Sequence, residues 1–398
     1  MCYGWAPMVN NFRAGNGAFV EKSARAFFCT FIPWLFLKRA TVFCRRDGTS
    51  KEEETVDKVE GFRLLAARLD RLMNLDIVCR GAIETLYEAA AKQQDGPMVW
   101  TAAKNLVQRV MPGDAVLIAT GWVDQPLVDP GHGETDGPPG AVTLARALRM
   151  TCKARPIILT DACLVEATAR LARAAGLQCV EPEHLQYSIT MNKLLTVSIL
   201  PFPEEWNEAQ KEANRLFSEL SPAACIAIER GGMNEQGIIH NMAGKDTSAT
   251  QAKLDAIFRQ AREAGVLSLG IGDGGNEIGM ANIADCIRAS IPFGEKCSCG
   301  CGGGIAPATP VDILMTATIS NWGCYGLAAM LGAMTNMPEA LPDPEREQRI
   351  LKATISAGFH DAIYGEICGS VDGAAMPVQL AVAQLMEEAV LQYMKRNP

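Results

Sequence analysis

Within "GIGDGGNEIG" (residues 270–279) the carboxylates of Asp273 and Glu277 and the carboxamide of Asn276 share one glycine loop, directly after the apolar run "VLSL". Gly270, Gly272 and Gly275 have the G-x-G-x-x-G spacing of a dinucleotide-binding turn. A pyrophosphate there would lie beside two acids. The following "IPFGEKCSCGCGGG" also reads as loop, not as the second strand ending in an acid that such a unit requires. The residue types suit a cation better: a substrate ammonium, or a hard divalent cation taking oxygens from Asp273, Asn276 and Glu277. No dedicated cofactor is expected. The N–H groups of Gly274 and Gly275 are expected to stabilise an oxyanion alongside.

Three other apolar runs end in polar clusters: "AVLIAT" is followed by a long loop holding Glu134 and Asp136, "ACIAI" by Glu229 and Arg230, and "TATI" by Ser320 and Asn321. Taken singly, each is ordinary turn chemistry. Four clusters in one structural position point instead to a shared pocket, because ligands of parallel sheets bind beyond the carboxyl ends of the strands. "CSCGC" (Cys297, Cys299, Cys301) has C-x-C spacing with no neighbouring His to complete four ligands, so it reads as a reduced glycine-rich loop and no metal site is assigned. His132, His184, His240 and His360 are dispersed and read as structural or surface residues. No nucleophile elbow or Cys–His signature suggests covalent catalysis.

The elements that position these groups follow from periodicity. Short apolar runs alternate with stretches of helical period from Glu60 onward, which predicts an α/β fold with a mainly parallel sheet covered by helices on both faces. Strands are expected at "AVLIAT", "RPIILT", "LLTVSIL", "ACIAIE", "VLSLGIG" and "VDILMTATI". Helices are expected at "GAVTLARALRMT", "LVEATARLARAAG", "EEWNEAQKEANRLFSEL", "TQAKLDAIFRQAREAG" and "AAMPVQLAVAQLMEEAVLQYM". Ser248 and Gln251 resemble a capping box for the fourth, which Gly265 would stop. The loop 124–140, rich in Gly and Pro, has the length of a binding segment.

Residues 60–398 read as one elaborated domain, preceded by an N-terminal extension over residues 1–50. In the extension Arg13, Lys22, Arg25, Lys38, Arg39, Arg45 and Arg46 face a single acid, Glu21, before Asp47, the charge pattern of a transit peptide. A secretory signal with residues 26–37 as its apolar region, or a plain extension, are the other readings. A net charge of −8 without a basic run argues against nucleic acid, and no apolar run is long enough for a membrane span. Fourteen cysteines without framework spacing suit a reducing compartment. The expected partner is a small molecule, and none of these features bears on oligomeric state.

"ETDGPPGAVTLARAL", "AIERGGMNEQGIIHNMAGKD", "GDGGNEIGM" and "SNWGCYGLAAML" resemble, in order and interval, the signature blocks of the D-glutamate cyclase C-terminal domain family. The similarity begins near "LDIVCRGAIETLYEAA" and runs to about residue 335 or beyond. The resemblance implies a hydro-lyase that converts D-glutamate to 5-oxo-D-proline, with an amino-acid substrate and residence in the mitochondrial matrix. A cytoplasmic location, a nucleotide- or NAD-dependent enzyme and a non-catalytic amino-acid-binding protein are the alternatives. Roles then follow from the chemistry of lactam closure. Asp273 is expected to take the amine proton and Glu277 to protonate the departing hydroxyl. Arg230, assisted by Lys245, is expected to hold the α-carboxylate, while Asn241, Asn276 and Asn321 orient polar groups and Glu134 or Asp136 closes the pocket.

Overall fold

The computed structural model describes residues 51–397 apart from Asn192, so the transit-peptide expectation for residues 1–50 lies outside the described residues. Three helices, α1 (Lys51–Met73), α2 (Ile83–Ala91) and α3 (Met98–Arg109), lead into β1 (Ala115–Thr120), α4 (Pro138–Thr151) and β2 (Arg155–Thr160). Then follow α5 (Val165–Ala174), β3 (Gln178–Cys179), α6 (Pro182–Met191), β4 (Thr196–Pro201), α7 (Trp206–Leu220) and β5 (Ala224–Ile228). The rest comprises α8 (Asp255–Ala264), β6 (Leu267–Gly272), α9 (Ala284–Ser290), β7 (Ile313–Thr316), α10 (Ser320–Thr335), α11 (Pro344–Ala357) and α12 (Met376–Arg396). Among the described residues no helix is long and apolar enough to cross a membrane.

The strands form one sheet in the order β3-β4-β2-β1-β5-β6-β7, and every pairing is parallel. Strands β1, β5, β6 and β7 are buried along their whole length, which is why they read as unbroken apolar runs rather than alternating ones. From β1 the chain passes to β2, places β3 at the edge and β4 between the two, then crosses back to β5 on the other side of β1 and winds outward to β7. Because crossovers of parallel strands are right-handed, winding in opposite directions puts the β1–β2 and β5–β6 connections on opposite faces. Helix α4 accordingly packs on β1, β2 and β4 beside α10, while α8 packs on β5 and β6 with α7 alongside.

Helix α8 illustrates how the sheet is covered. Ile257, Phe258 and Ala261 are buried on its apolar stripe, each large side chain contributing about 1.5–3 kcal/mol on removal from water. Gly265 ends it in the left-handed region at φ 67°. Its start differs from expectation. Ser248–Thr250 form a separate 3₁₀ turn, the helix begins at Asp255, and the Ser248 hydroxyl accepts from the Ile239 N–H (2.8 Å) instead of capping. Strand β3 was not expected: at two residues it is too short to carry a periodic signal.

The reversal of strand order between β1 and β5 is a topological switch point, where diverging connections leave a crevice at the strand carboxyl ends. The segments that leave β1, β5, β6 and β7 there are the four polar clusters.

Candidate active site

The loop after β1 returns to the sheet edge through backbone pairing: the Glu134 N–H reaches the Trp122 carbonyl (3.0 Å) and the Thr135 N–H the His360 carbonyl (2.9 Å). This brings Glu134 and Asp136 over the switch point. The next two residues of α4, Pro138 and Pro139, need no hydrogen-bond acceptor in the first helical turn. Asp136 accepts from the N–H groups of Ser320 (2.8 Å) and Asn321 (2.9 Å), capping α10 from outside. Asn321 reciprocates by accepting from the N–H groups of Gly137 (3.1 Å) and Gly140 (2.7 Å) at the start of α4. Two helix ends that would otherwise carry buried orphan donors thus satisfy each other. Asn321 is spent in this exchange.

Glu229 follows β5 with φ 42°, a left-handed conformation rarely adopted by a glutamate. Strained non-glycine backbone of this kind concentrates at functional sites. Its carboxyl pairs with the Ser320 hydroxyl at 2.6 Å.

The glycine loop after β6 folds back on its own strand. A Cβ on Gly270 would lie 2.7 Å from the Ile278 carbonyl, so close approach of the backbone explains this glycine without any phosphate. Glu277 turns inward and accepts from the N–H groups of Asp273 (2.7 Å), Gly274 (2.6 Å) and Gly275 (2.7 Å). Two expectations change as a result. The Gly274 and Gly275 donors are already committed to Glu277, leaving neither for an oxyanion or a phosphate. Glu277, expected as the proton donor, is instead turned onto the N–H groups of its own loop. Asn276 braces the same loop by donating to the His240 carbonyl (2.7 Å).

Two residues that sequence reasoning did not single out complete the cluster. Arg80, between α1 and α2, donates to Asp273 (2.8 Å) and Asp372 (2.6 Å). Asp372 lies in the turn before α12, also with positive φ, at 51°. Carboxylate oxygens of Asp136, Asp273 and Asp372 all lie within 4.8 Å of one another, as do those of Glu229, Asp273 and Glu277. Asp273 is common to both sets, and the second also holds Glu277, so two of the three residues expected to face a cation lie in a group spaced to hold one. The Arg80 side chain is 29% exposed against 5% for Asp273, so the guanidinium stands at the mouth and the carboxylate beneath it.

Three expected site residues are not brought to this cluster. Arg230 is wholly buried and donates to both oxygens of Asp161, to the Gly121 carbonyl and to the Ala252 carbonyl (2.7 Å), tying the exit of β5 to that of β2. Its donors are turned to these partners, away from the carboxylate cluster, so it does not stand where the expected substrate clamp would. Asn241 spends its side-chain oxygen on the N–H groups of Ala243 and Lys245 (both 3.1 Å), which is turn chemistry. Lys245 is exposed on that turn.

A group of buried acids around one guanidinium cannot ionise fully. Burial, reinforced by the Asp372 charge, pushes Asp136 up to about 8. Burial also dominates at Asp273, where Arg80 pulls down while Asp136 and Glu277 push up, leaving it at about 7. Asp372 reaches about 8 through burial and the Asp273 charge. Glu229 and Glu134 are held well above the ordinary range, first by burial and then by the surrounding carboxylates. For Arg80, burial opposes the charge, but Asp273 and Asp372 outweigh it and hold the guanidinium protonated. Near neutral pH the cluster therefore retains protons shared among its members.

These shifts have a sign for stability. An acid raised in the folded state binds its proton more tightly than in the unfolded chain, so its stabilising effect is complete below the unfolded value of 3.8 and lost as pH rises through about 7–8. Buried Asp70, also raised to about 7, acts in the same direction. The thermal midpoint is expected to fall between pH 5 and pH 8.5, and Asp372→Asn to flatten that slope; calorimetry across the range measures both.

An open recess of about 640 Å³, lined by Thr85, Glu88, Glu235, Asp285 and Arg288 among others, includes none of the clustered residues. The family profile described as D-glutamate cyclase-like, C-terminal, matches residues 69–387. The chain belongs to this family. The match spans every strand of the sheet and both new site residues, Arg80 and Asp372. Among curated proteins, the mitochondrial D-glutamate cyclase of Homo sapiens is 25% identical over 305 residues, covering 69% of this chain. The chain spans 45% of that relative's length. Within the D-glutamate cyclase-like fold, the carboxylate cluster at the switch point is the place where the four polar segments meet.

Proposed function

We propose that this chain is a hydro-lyase that closes D-glutamate to 5-oxo-D-proline, with the carboxylate cluster as its proton-transfer site. The observation that carries the reading is the gathering of Asp136, Glu229, Asp273 and Asp372 at the switch point with protons held near neutral pH. Family membership supports the substrate class. Mitochondrial residence belongs to the same proposal, resting on the basic residues 1–50 and on the mitochondrial human relative.

Closure forms one C–N bond and breaks one C–O bond. Two protons leave the substrate ammonium, and two reach the departing γ-carboxyl oxygen, which leaves as water. Asp273, poised near neutrality under Arg80, takes a proton from nitrogen, and Glu229, buried and oriented by Ser320, delivers one to oxygen. Asp136, within ligand reach of Asp273, serves as the relay for the second proton. Nucleophile and electrophile belong to one molecule, so the remaining task is to fold it into attack geometry. Arg80 takes the α-carboxylate role first expected of Arg230. Glu277 and Asn276 shape the loop that presents Asp273.

Arg80→Ala is accordingly expected to raise KM for glutamate by at least about tenfold, the usual order for a lost charge-assisted pair, with a smaller effect on kcat. Steady-state kinetics measures the split.

The two carboxylate triads favour a second version of the same reading, in which a divalent cation at Asp273 meets the substrate carboxylate. Activity assayed after chelation and after Mg²⁺ or Mn²⁺ addition distinguishes the two versions. Incubation of the purified protein with D- and L-glutamate, followed by mass spectrometry, tests the function itself. Loss of one water from the D-enantiomer supports it. Binding without conversion supports the non-catalytic alternative, and thermal stabilisation by NAD or ATP instead of glutamate supports the nucleotide alternative.

A further inference from the structure

Cys297, Cys299 and Cys301 are not an isolated glycine-rich loop, because the fold brings His240 onto them from a segment about sixty residues upstream. The His240 Nε2 lies 3.2 Å from the Cys299 sulfur and 3.6 Å from that of Cys301. Cys297 is 3.2 Å from Cys299 and 3.5 Å from Cys301, sulfur to sulfur. We propose that these four residues form a closed Cys₃His site for one zinc ion.

The geometry fits that ion. Zinc–sulfur bonds of about 2.3 Å and zinc–nitrogen bonds of about 2.0 Å give tetrahedral edges of about 3.8 Å between sulfurs and about 3.6 Å from sulfur to nitrogen. The separations above are those edges drawn slightly inward. His240 itself points to a ligand: it is 1% exposed, and among the described residues its Nδ1 has no hydrogen-bond partner and its side chain's only polar contacts are the two thiols. A buried imidazole so poorly satisfied is costly unless Nε2 makes a stronger bond. Three sulfurs and one imidazole in tetrahedral spacing select zinc over the hard cations suited to carboxylates. Gly300 (φ 85°) and Gly302 (φ 89°) let the chain reverse around the centre, and Asn234 donates an N–H to the Cys301 sulfur (3.6 Å), the outer contact usual for a metal thiolate.

The site's position gives it a structural task. The His240 carbonyl accepts from Asn276, and the Asn276 carbonyl accepts from the Gly232 N–H (2.9 Å), so the segment carrying His240 backs the glycine loop. Zinc would clamp residues 297–301 to that segment and steady the loop without entering the chemistry.

The full-length protein, produced in zinc-supplemented medium and dialysed without chelator, is expected to contain about one zinc per chain by elemental analysis, whereas Cys301→Ser and Cys299→Ser retain less than about a tenth of that, as four-ligand sites lose most of their affinity with one thiolate. Cys368→Ser, at an exposed cysteine away from the site, should keep the full complement. Should the site variants fail to fold, the wild-type protein still decides: alkylation followed by intact mass should show three thiols that become reactive only after chelation. Cobalt reconstitution should give thiolate-to-metal charge-transfer absorption. Zinc well below stoichiometric in the folded wild-type protein, full zinc in the serine variants, or a disulfide among these cysteines in freshly isolated protein would each overturn the proposal.

Discussion

Asp273→Asn is expected to lower turnover by about 10²–10⁴-fold, the usual worth of a positioned acid–base group, with the fold retained. Asp273 is buried at the convergence of both carboxylate triads, and Arg80 is its one ion-pair partner among the described residues. Removing a charge that its acidic neighbours oppose relieves repulsion, so circular dichroism and the thermal midpoint should match or exceed those of the unaltered protein. Glu229→Gln should cost a similar factor for the complementary reason, since it removes the proton that reaches the departing oxygen. In the unaltered protein kcat should rise through about pH 7 as Asp273 loses its proton, and this limb should vanish in Asp273→Asn. Normal activity in that variant would remove Asp273 from the mechanism, whatever the substrate proves to be.

Arg230→Met is expected to destabilise the protein by about 3–5 kcal/mol, the cost of leaving one partner of a buried ion pair alone. Here the stranded group would be Asp161, whose oxygens are fully enclosed. The double variant Arg230→Met with Asp161→Leu should recover a large part of the loss, because apolar residues of similar volume replace both charges. Urea unfolding monitored by fluorescence measures each step. A substrate-binding arginine would give the opposite result: a raised KM at unchanged unfolding free energy.

The contrast between Glu229 and Arg230 illustrates what the sequence discloses and what it hides. Both follow β5 and were read as one cluster. Consecutive side chains leaving a strand point to opposite sides, however, so Glu229 reaches the crevice while Arg230 runs beneath the neighbouring strand end to Asp161. Residue type and position relative to a strand were legible; direction was not. Six of the seven strands could be read because burial along all or most of their length in a parallel sheet makes them mainly apolar runs, and β3, two residues long, could not. The acids after β1, β5 and β6 were legible for the same reason, each following a recognisable strand. Arg80 and Asp372 lie outside those βα units and meet Asp273 and each other across 193 and 292 residues of sequence. Their only sequence signal was indirect: Arg80 falls inside "LDIVCRGAIETLYEAA", where the family resemblance begins. His240 lies 59 residues from Cys299, and no local spacing rule joins them. Glu277 was read as a proton donor from residue type alone, whereas the loop's own N–H groups claim it.

Both proposed reaction roles rest on one spatial observation, that the carboxylates of Asp136, Glu229, Asp273 and Asp372, from distant segments, gather around one place. The most direct measurement is mass spectrometry of D-glutamate incubated with the purified protein and, in parallel, with its Asp273→Asn variant. Accumulation of a product lighter by one water with the unaltered protein, and its absence with the variant, is the predicted result. No product from either protein, or equal product from both, would contradict the account.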